Sequence, residues 1–393
     1  MFDLMKDPII TSILDTDLYK LTMMQAVFHQ YPKCPVEYVF INRDRDNKLG
    51  YLRPFVEAQA GFMAELKLQP AERDFLEAQG LFTEDFLDFL SNYRFQPNHL
   101  QISTPNGDLG LLIPGLWDLE ILWETPLLGI ISESHTRTNP DFDPQVNYNI
   151  GRQRMQQKIQ MINQNHLKMV EFGARRRATA EWQDEEVRLL KDGCEPGLLL
   201  GTSNVHLAMK YSLKPIGTVA HEWFMAHMRL VDDLRQAQPR ALAVWRQEYG
   251  RQLNIALTDT FTSGAFFQDL NPELAEFLQG LRQDSGSPIS YGHNAIYQYT
   301  RLGISIRDKS VLFSDSLDVP DCLPIQNEFR NFFNSIFCIG TMFSNDIGLK
   351  APKIVIKLHE CYGLPVVKLS DTTGKVLGDP AAIAEIKAVY NLS

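Results

Sequence analysis

The residues suited to chemistry fall in the second half of the chain, each after a short apolar run. The polar clusters are Glu171-Phe172-Gly173-Ala174-Arg175, Gly201-Thr202-Ser203-Asn204, His221-Glu222, Asp259-Thr260, Asp284-Ser285-Gly286, Asp315-Ser316 and Gly340-Thr341. Arginines at 175, 176, 177 and 282, with amides exposed at Gly201, Gly286 and Gly340, are groups that bind phosphate or carboxylate. The carboxylates of Asp259, Asp284 and Asp315 suit Mg²⁺ or sugar hydroxyls. As a set they fit a phosphorylated sugar better than a peptide or a lipid. Each also has a plainer reading: a solvated helix start for Arg175 to Arg177, N-caps for the aspartates, and a structural histidine for His221.

Several common templates are excluded. His221-Glu222 and His227 suggest a zinc-protease helix, but that site needs histidines four apart on one face. Here they are six apart, about 240° around a helix. No G-x-S-x-G, Walker A or Rossmann fingerprint is present.

The elements that must position these groups are short strands alternating with helical text, which predicts a mainly parallel sheet. So many successive units, each with a polar cluster after its strand, favour a closed or nearly closed α/β barrel with all clusters on one rim. A short apolar strand is expected to deliver His221. Upstream, Asp15 to Tyr31 reads as a helix with N-caps at Asp15, Thr16 and Asp17, and with Tyr19 and Lys20 in its first turn. Val36 to Ile41 reads as a strand, 54–94 as charged helices, Ile102 to Ile113 as a hairpin around Asn106-Gly107-Asp108, and Gln145 to Leu167 as a helix. Trp117 to Ile131 is strongly apolar and is expected to carry the crossing between domains. The tail from Lys353 to Leu369 reads as a hairpin around Tyr362-Gly363.

At 393 residues the chain is long enough for two domains, or for one barrel with an appendage. Its 44% hydrophobic and 22% charged residues are those of an ordinary globular protein. A net charge of −10 argues against a general nucleic-acid or membrane surface. Any anionic ligand must therefore be met locally. The five cysteines are scattered, with no C-x-x-C spacing, which suits a reducing compartment and argues against structural zinc. The N-terminus lacks the basic and apolar regions of a signal peptide, and no stretch approaches a membrane span, so a cytoplasmic location is expected.

In order along the chain, Asp15-Thr16-Asp17-Leu18-Tyr19-Lys20, Glu171 to Arg177, Gly201-Thr202-Ser203-Asn204, Ala220-His221-Glu222-Trp223-Phe224, Leu257-Thr258-Asp259-Thr260, Arg282-Gln283-Asp284-Ser285-Gly286, Phe313-Ser314-Asp315, Ile339-Gly340-Thr341 and Ile354 to Leu358 together resemble the nicotinate phosphoribosyltransferases, of the type II phosphoribosyltransferase family. The resemblance implies an incomplete, TIM-like α/β barrel over 131–359. It also implies an N-terminal α+β domain over 1–130, joined by the C-terminal segment 360–393. The implied reaction takes nicotinate, 5-phosphoribosyl-1-pyrophosphate, ATP and water to nicotinate mononucleotide, pyrophosphate, ADP and phosphate, a step of NAD biosynthesis. ATP would be coupled through a phosphohistidine at His221, and the enzyme would be a homodimer with shared active sites.

By that resemblance Phe172 stacks on the pyridine ring, with Tyr19 of the partner subunit on its other face. Arg175 and Arg282 serve the anionic groups of substrate and product. Asp284 and Asp315 serve ribose hydroxyls or metal, Asp259 and Thr202 belong to the substrate-binding residues, and Ser203 lines the base pocket. Gly340 and Thr341 hold the 5-phosphate through backbone N–H groups. Mg²⁺ enters mainly with substrate, with Asp284 and Asp315 as candidate direct ligands. Nicotinamide-using relatives carry Asp where this chain has Ser203, so that hydroxyl is expected to favour a carboxylate-bearing base. Ser287 and Gly264 replace acids frequent in the family pattern, which puts outer metal or ribose contacts in doubt. A barrel hydrolase holding metal on the Asp and His clusters, and a non-catalytic nucleotide-binding protein, remain as alternatives.

Overall fold

The computed structural model describes residues 2–392. It divides into two compact units, which are taken separately: residues 1–216 with 339–357, and residues 217–338 with 358–393.

In the first unit the expected opening helix forms over Leu18–Gln30, with Asp17 as its N-cap. It is followed by β1 (Pro35–Asn42), whose alternating burial is that of a strand with one covered face. The 54–94 stretch forms helices at Arg53–Met63, Pro70–Ala78 and Glu84–Asn92. The hairpin forms as β2 (Gln101–Ser103) against β3 (Gly110–Leu116), with Ile102 opposite Leu111. Asn106 and Gly107 supply the positive φ angles of 51° and 79° that turn the chain there. β3 also pairs antiparallel with β1, Tyr38 opposite Ile113.

The apolar run after β3 is helical, at Trp117–Glu120 and Glu124–Arg137, and the Gln-rich helix spans Pro144–Asn165. Two short parallel strands follow, β4 (Met169–Glu171) and β5 (Leu199–Thr202), separated by the helix Ala180–Gly193. Trp182 from that helix is buried with Ala178 and Ile347 under Phe142 and Tyr148. Residues 14–18 lie along 203–206: Leu18 N–H donates to the Ser203 carbonyl at 2.8 Å and Val205 N–H to the Thr16 carbonyl at 3.0 Å. Asp17 and Ser203, so far apart in sequence, become neighbours by that pairing.

The second unit holds four parallel strands, β6 (Ile255–Leu257), β7 (Gly280–Gln283), β8 (Ser310–Phe313) and β9 (Asn334–Ile339), each paired with the next. β9 ends at Ile339, which falls in the first unit; there its carbonyl accepts from Phe172 N–H at 2.8 Å. The tail hairpin forms between β10 (Ile354–Cys361) and β11 (Leu364–Pro365), across Tyr362 and Gly363 at φ 52° and 69°. Beyond it Val367, Leu369, Ala382, Ile386 and Tyr390 are buried with Met228, Ala237, Phe261 and Ala265. This apolar contact fixes the segment that carries Lys368 and Asp371.

The mixed α/β class with a parallel sheet is as expected, and no strand pairing closes a barrel among the described residues. Among the described residues no strand forms immediately before His221. Only one bridge forms there, Thr202 with Pro215, and the backbone then runs irregularly to Ala220. Pro215 has no N–H to give a ladder, and Gly217 gains little from an extended state. His221 instead opens the helix His221–His227.

Candidate functional site

The second unit assembles a buried cluster at the C-terminal ends of β6 and β7. His221 Nε2 lies 2.8 Å from Asp259 Oδ1 and 3.6 Å from Asp284 Oδ2. The other Asp259 oxygen accepts from Ser285 Oγ at 2.6 Å and faces the Lys368 ammonium at 3.4 Å. Burial first, and then Lys368, hold the His221 imidazole down to about 4, against the upward pull of Asp259 and Asp284. It is therefore neutral near pH 7, with its single N–H at Nε2 directed to the carboxylate. No group is hydrogen-bonded to Nδ1 among the described residues. Burial alone would raise Asp259, but its ion pairs and hydrogen bonds keep it well below the usual carboxylate range.

Arg282 completes this cluster. Its Nε donates to Ser314 Oγ at 2.9 Å, Nη1 to Thr218 Oγ1 at 3.0 Å, and Nη2 reaches Asp284 Oδ1 at 3.4 Å. Burial raises Asp284 and Arg282, the largest opposing influence, brings it below its ordinary value. Ligand atoms of His221, Asp259 and Asp284 come within 4.8 Å of one another, close enough for a cation. Both Asp259 oxygens are already engaged, and Asp284 Oδ1 accepts from Ser314 Oγ at 2.8 Å, so Asp284 Oδ2 is the carboxylate oxygen of this group best placed to hold a cation. Asp315 stands apart, its Oδ1 paired with Lys375 and accepting from Ser316.

A second cluster lies within the first unit. Asp17 accepts from Ser203 Oγ at 2.6 Å and from Thr125 Oγ1 at 3.1 Å. Arg175, the side chain of this group that keeps most exposure at 32%, reaches toward Asp17 at 3.8 Å and Glu124 at 3.5 Å. It also sits 6.0 Å from the Tyr19 ring. Glu124 is buried against Lys20 at 2.5 Å and Lys357 at 3.8 Å. Burial pushes its carboxyl up, but Lys20, Lys357 and Arg175 together bring it down to about 2. Thr202 Oγ1 donates to Glu171 Oε2 at 2.5 Å, and the same glutamate accepts from Gly173 N–H at 2.5 Å. Gly201 has to be glycine, since a Cβ there would run into the Lys214 carbonyl that pairs with Thr202 N–H.

The nicotinate phosphoribosyltransferase (NAPRTase) family model matches residues 167–393, and the model of that family's N-terminal domain matches residues 14–132. The chain belongs to the nicotinate phosphoribosyltransferase family. It is 42% identical over 391 residues to a nicotinate phosphoribosyltransferase of Serratia proteamaculans, covering 98% of this chain and 97% of that one. It is 40% identical over 394 residues to nicotinate phosphoribosyltransferase 2 of Pseudomonas aeruginosa, covering 98% of both. Among solved structures, nicotinate phosphoribosyltransferase from Vibrio cholerae superposes with TM-score 0.93 at 34% identity, covering 99% of this chain and 96% of that one. The enzyme of the same name from Porphyromonas gingivalis gives 0.91 at 32%, covering 98% and 100%.

Of the residues that the resemblance to the nicotinate phosphoribosyltransferases singled out, His221, Asp259, Arg282 and Asp284 come together in one unit. Tyr19, Arg175 and Ser203 gather around Asp17 and Glu124 in the other. Phe172 is half-buried at the end of β4, and Gly340 and Thr341 follow β9 as the start of the helix Thr341–Ser344. The arginine triplet splits by role: Arg177 is buried on Asp15 at 2.9 Å and near Glu133 at 3.7 Å, an internal tie rather than a ligand group. Ser203 is wholly buried, with its hydroxyl hydrogen given to Asp17.

Glu124, Lys357, Lys368, Ser285 and Asp371 are site residues that sequence reasoning misses, and Asp17, an N-cap as expected, also accepts from Ser203 and Thr125. One signal was available. Lys368 interrupts the apolar run Leu364 to Leu369 and Glu124 the run Trp117 to Ile131, and a charge inside buried text needs a partner.

Proposed function

We propose that this chain catalyses the reaction of nicotinate with 5-phosphoribosyl-1-pyrophosphate to give nicotinate mononucleotide and pyrophosphate, coupled to ATP through His221. Family membership supports the reaction class. The observation that carries the coupling is the His221 geometry: a neutral imidazole whose Nε2–H is tied to Asp259 while Nδ1 stays open. Such a ring is a ready nucleophile.

The pyridine nitrogen of nicotinate carries no proton, so its attack on ribose C1 needs no general base. Positioning and charge stabilisation suffice. Arg282 and Arg175 would bind the anionic groups, and Asp284 and Asp259 would stabilise positive charge developing on the ribose. Mg²⁺ fits the donor set through Asp284, and when bound with the donor it would neutralise the departing pyrophosphate. Asp315 would join only after release from Lys375.

In the coupled step His221 Nδ1 forms a bond to the γ-phosphorus of ATP as the bond to the β,γ-bridging oxygen breaks and ADP leaves. Water later cleaves the phosphoramidate, releasing phosphate and restoring the imidazole. The added charge would change affinity at the adjoining site.

Ser203 is assigned to base selection, with Thr202, Phe172 and Tyr19 lining the pocket and Gly340 and Thr341 on the 5-phosphate. Because the Ser203 hydroxyl now donates to Asp17, it would have to turn to serve a substrate carboxylate. A homodimer with shared sites, a cytoplasmic location and the domain division at residues 130 and 359 belong to the same reading. No described helix is long and apolar enough to cross a membrane.

The deciding assay is pyrophosphate release from the phosphoribosyl donor with nicotinate, nicotinamide and quinolinate compared, with and without ATP. Turnover with nicotinate, raised by ATP, is expected. Metal-dependent hydrolysis without the donor, or mononucleotide binding without turnover, would replace this reading.

A further inference from the structure

The His221–Asp259 pair is the inner end of a longer hydrogen-bonded chain that reaches the C-terminal segment. Asp259 Oδ2 accepts from Ser285 Oγ at 2.6 Å, and Ser285 Oγ in turn accepts from the backbone N–H of Asp371 at 2.9 Å. A hydroxyl that accepts from an N–H has its own hydrogen left to donate, so Ser285 must point that hydrogen at Asp259. Asp371 is itself tied down by its carboxylate, which accepts from Ser263 N–H at 2.8 Å and from Ser263 Oγ at 2.6 Å. Next to it Gly286 N–H donates to Thr372 Oγ1 at 3.1 Å, and Leu369 N–H donates to the Thr260 carbonyl at 2.8 Å. The 369–372 segment thus clasps the loops after β6 and β7, which carry Asp259 and Ser285. Ser285 and Ser263 are buried, so water does not compete for these bonds.

We propose that Ser285, set by the backbone N–H of Asp371, is a positioning residue that fixes the Asp259 carboxylate and so holds His221 in the Nε2-protonated tautomer, with Nδ1 presented to a nucleoside triphosphate. The inference rests on the assignment of His221 as the phosphorylated residue. A carboxylate held at one oxygen can rotate about its Cβ–Cγ bond, whereas one held at both cannot. The imidazole N–H follows whichever acceptor is fixed. Without Ser285, Asp259 keeps only Lys368 on its second oxygen, at 3.4 Å, and an ammonium sets charge without setting direction as a hydroxyl does.

The test compares wild type with Ser285→Ala, Ser285→Cys and Ser285→Thr in the full chain. Two signals are read: the ¹⁵N resonances of His221, assigned by their loss in His221→Gln, and the rate of label uptake from [γ-³²P]ATP. Wild type should show one pyrrole-like and one pyridine-like nitrogen. The Ala and Cys variants should show both tautomers in exchange, with label uptake slowed about tenfold or more, the loss of one hydrogen bond to a charged group. Ser285→Thr, which keeps the hydroxyl, should restore both signals, and Asp371→Ala should shift them in the same direction as Ser285→Ala but less.

A single unchanged tautomer with wild-type uptake in Ser285→Ala overturns the proposal. If that variant fails to fold, the near-isosteric Cys variant decides by the same criterion. General loosening of the fold would lower the melting temperature without moving the tautomer. Absence of label in wild type would fail the phosphohistidine assignment alone, and the tautomer comparison would then judge Ser285 by itself.

Discussion

The two charged clusters are built from the same side chains to opposite ends. Around Glu124, buried charges are matched by opposite charges: Lys20 and Lys357 answer the glutamate, Arg175 reaches both acids, and Ser203 and Thr125 fill Asp17. Around His221, an imidazole is kept uncharged beside ionised Asp259, and one ring nitrogen is left open. Burial acts on both, but where cations surround a carboxylate it is overridden and the group ionises more readily. Where a histidine shares its carboxylate with a lysine, burial wins and the ring stays neutral. The first arrangement favours the folded state, and the second holds a reactive group ready.

The contrast breaks most sharply at His221. His221→Ala should abolish label uptake from ATP and remove ATP stimulation of pyrophosphate release, with little change in the urea midpoint. Full ATP coupling in that variant would place the chemistry elsewhere. Glu124→Gln should do the reverse. It leaves Lys20 buried beside a neutral amide, at a cost on the order of 3 kcal/mol in urea unfolding. If stability were unchanged, the Glu124 cluster would not be the structural one of the two.

Ser203→Asp tests the border between the two roles, since it sets a second carboxylate against Asp17. The ratio of kcat/KM for nicotinate over nicotinamide should fall by about tenfold or more, in steady-state assays with both bases. An unaltered nicotinate rate would remove Ser203 from base selection.

The smallest effects lie in pH. Glu124, held at about 2, stabilises the fold fully above its ordinary 4.5, and that stability is lost as pH falls between 4.5 and about 2. Glu124→Gln should flatten acid unfolding across that window. His221, held at about 4, binds its proton more readily when unfolded, so stability declines as pH drops from 6.5 toward 4. The His221 ¹⁵N resonances should show no protonation near pH 6.5, and a titration there would mean that the ring is not held neutral.

Much of the fold was legible before any coordinates. The helix at Leu18–Gln30, the hairpin turned at Asn106-Gly107 and the parallel strands ending at Glu171, Thr202, Leu257, Gln283, Phe313 and Ile339 follow from local apolar spacing and turn chemistry. No strand forms before His221, although Ile216 and Val219 are apolar, because Pro215 lacks a ladder N–H and Gly217 gains little from an extended state. The residue types at His221, Asp259, Arg282 and Asp284 were also readable, as polar groups after apolar runs. Ser285 and Asp371 were not, because a serine beside an aspartate, or an aspartate in a turn, has a plainer local use.

By itself, the sequence determined the family, the α/β class and which residues could react, since these depend on residue type and on short-range periodicity. Tertiary structure alone decided which of the acids meets His221, that Asp315 instead pairs with Lys375, and that the Ser203 hydroxyl is given to Asp17. Those outcomes depend on contacts between residues tens to hundreds of positions apart, made after burial has removed water as the competing partner. Whether a buried histidine is charged or neutral is likewise set there, by the balance of a lysine, two aspartates and the cost of leaving water.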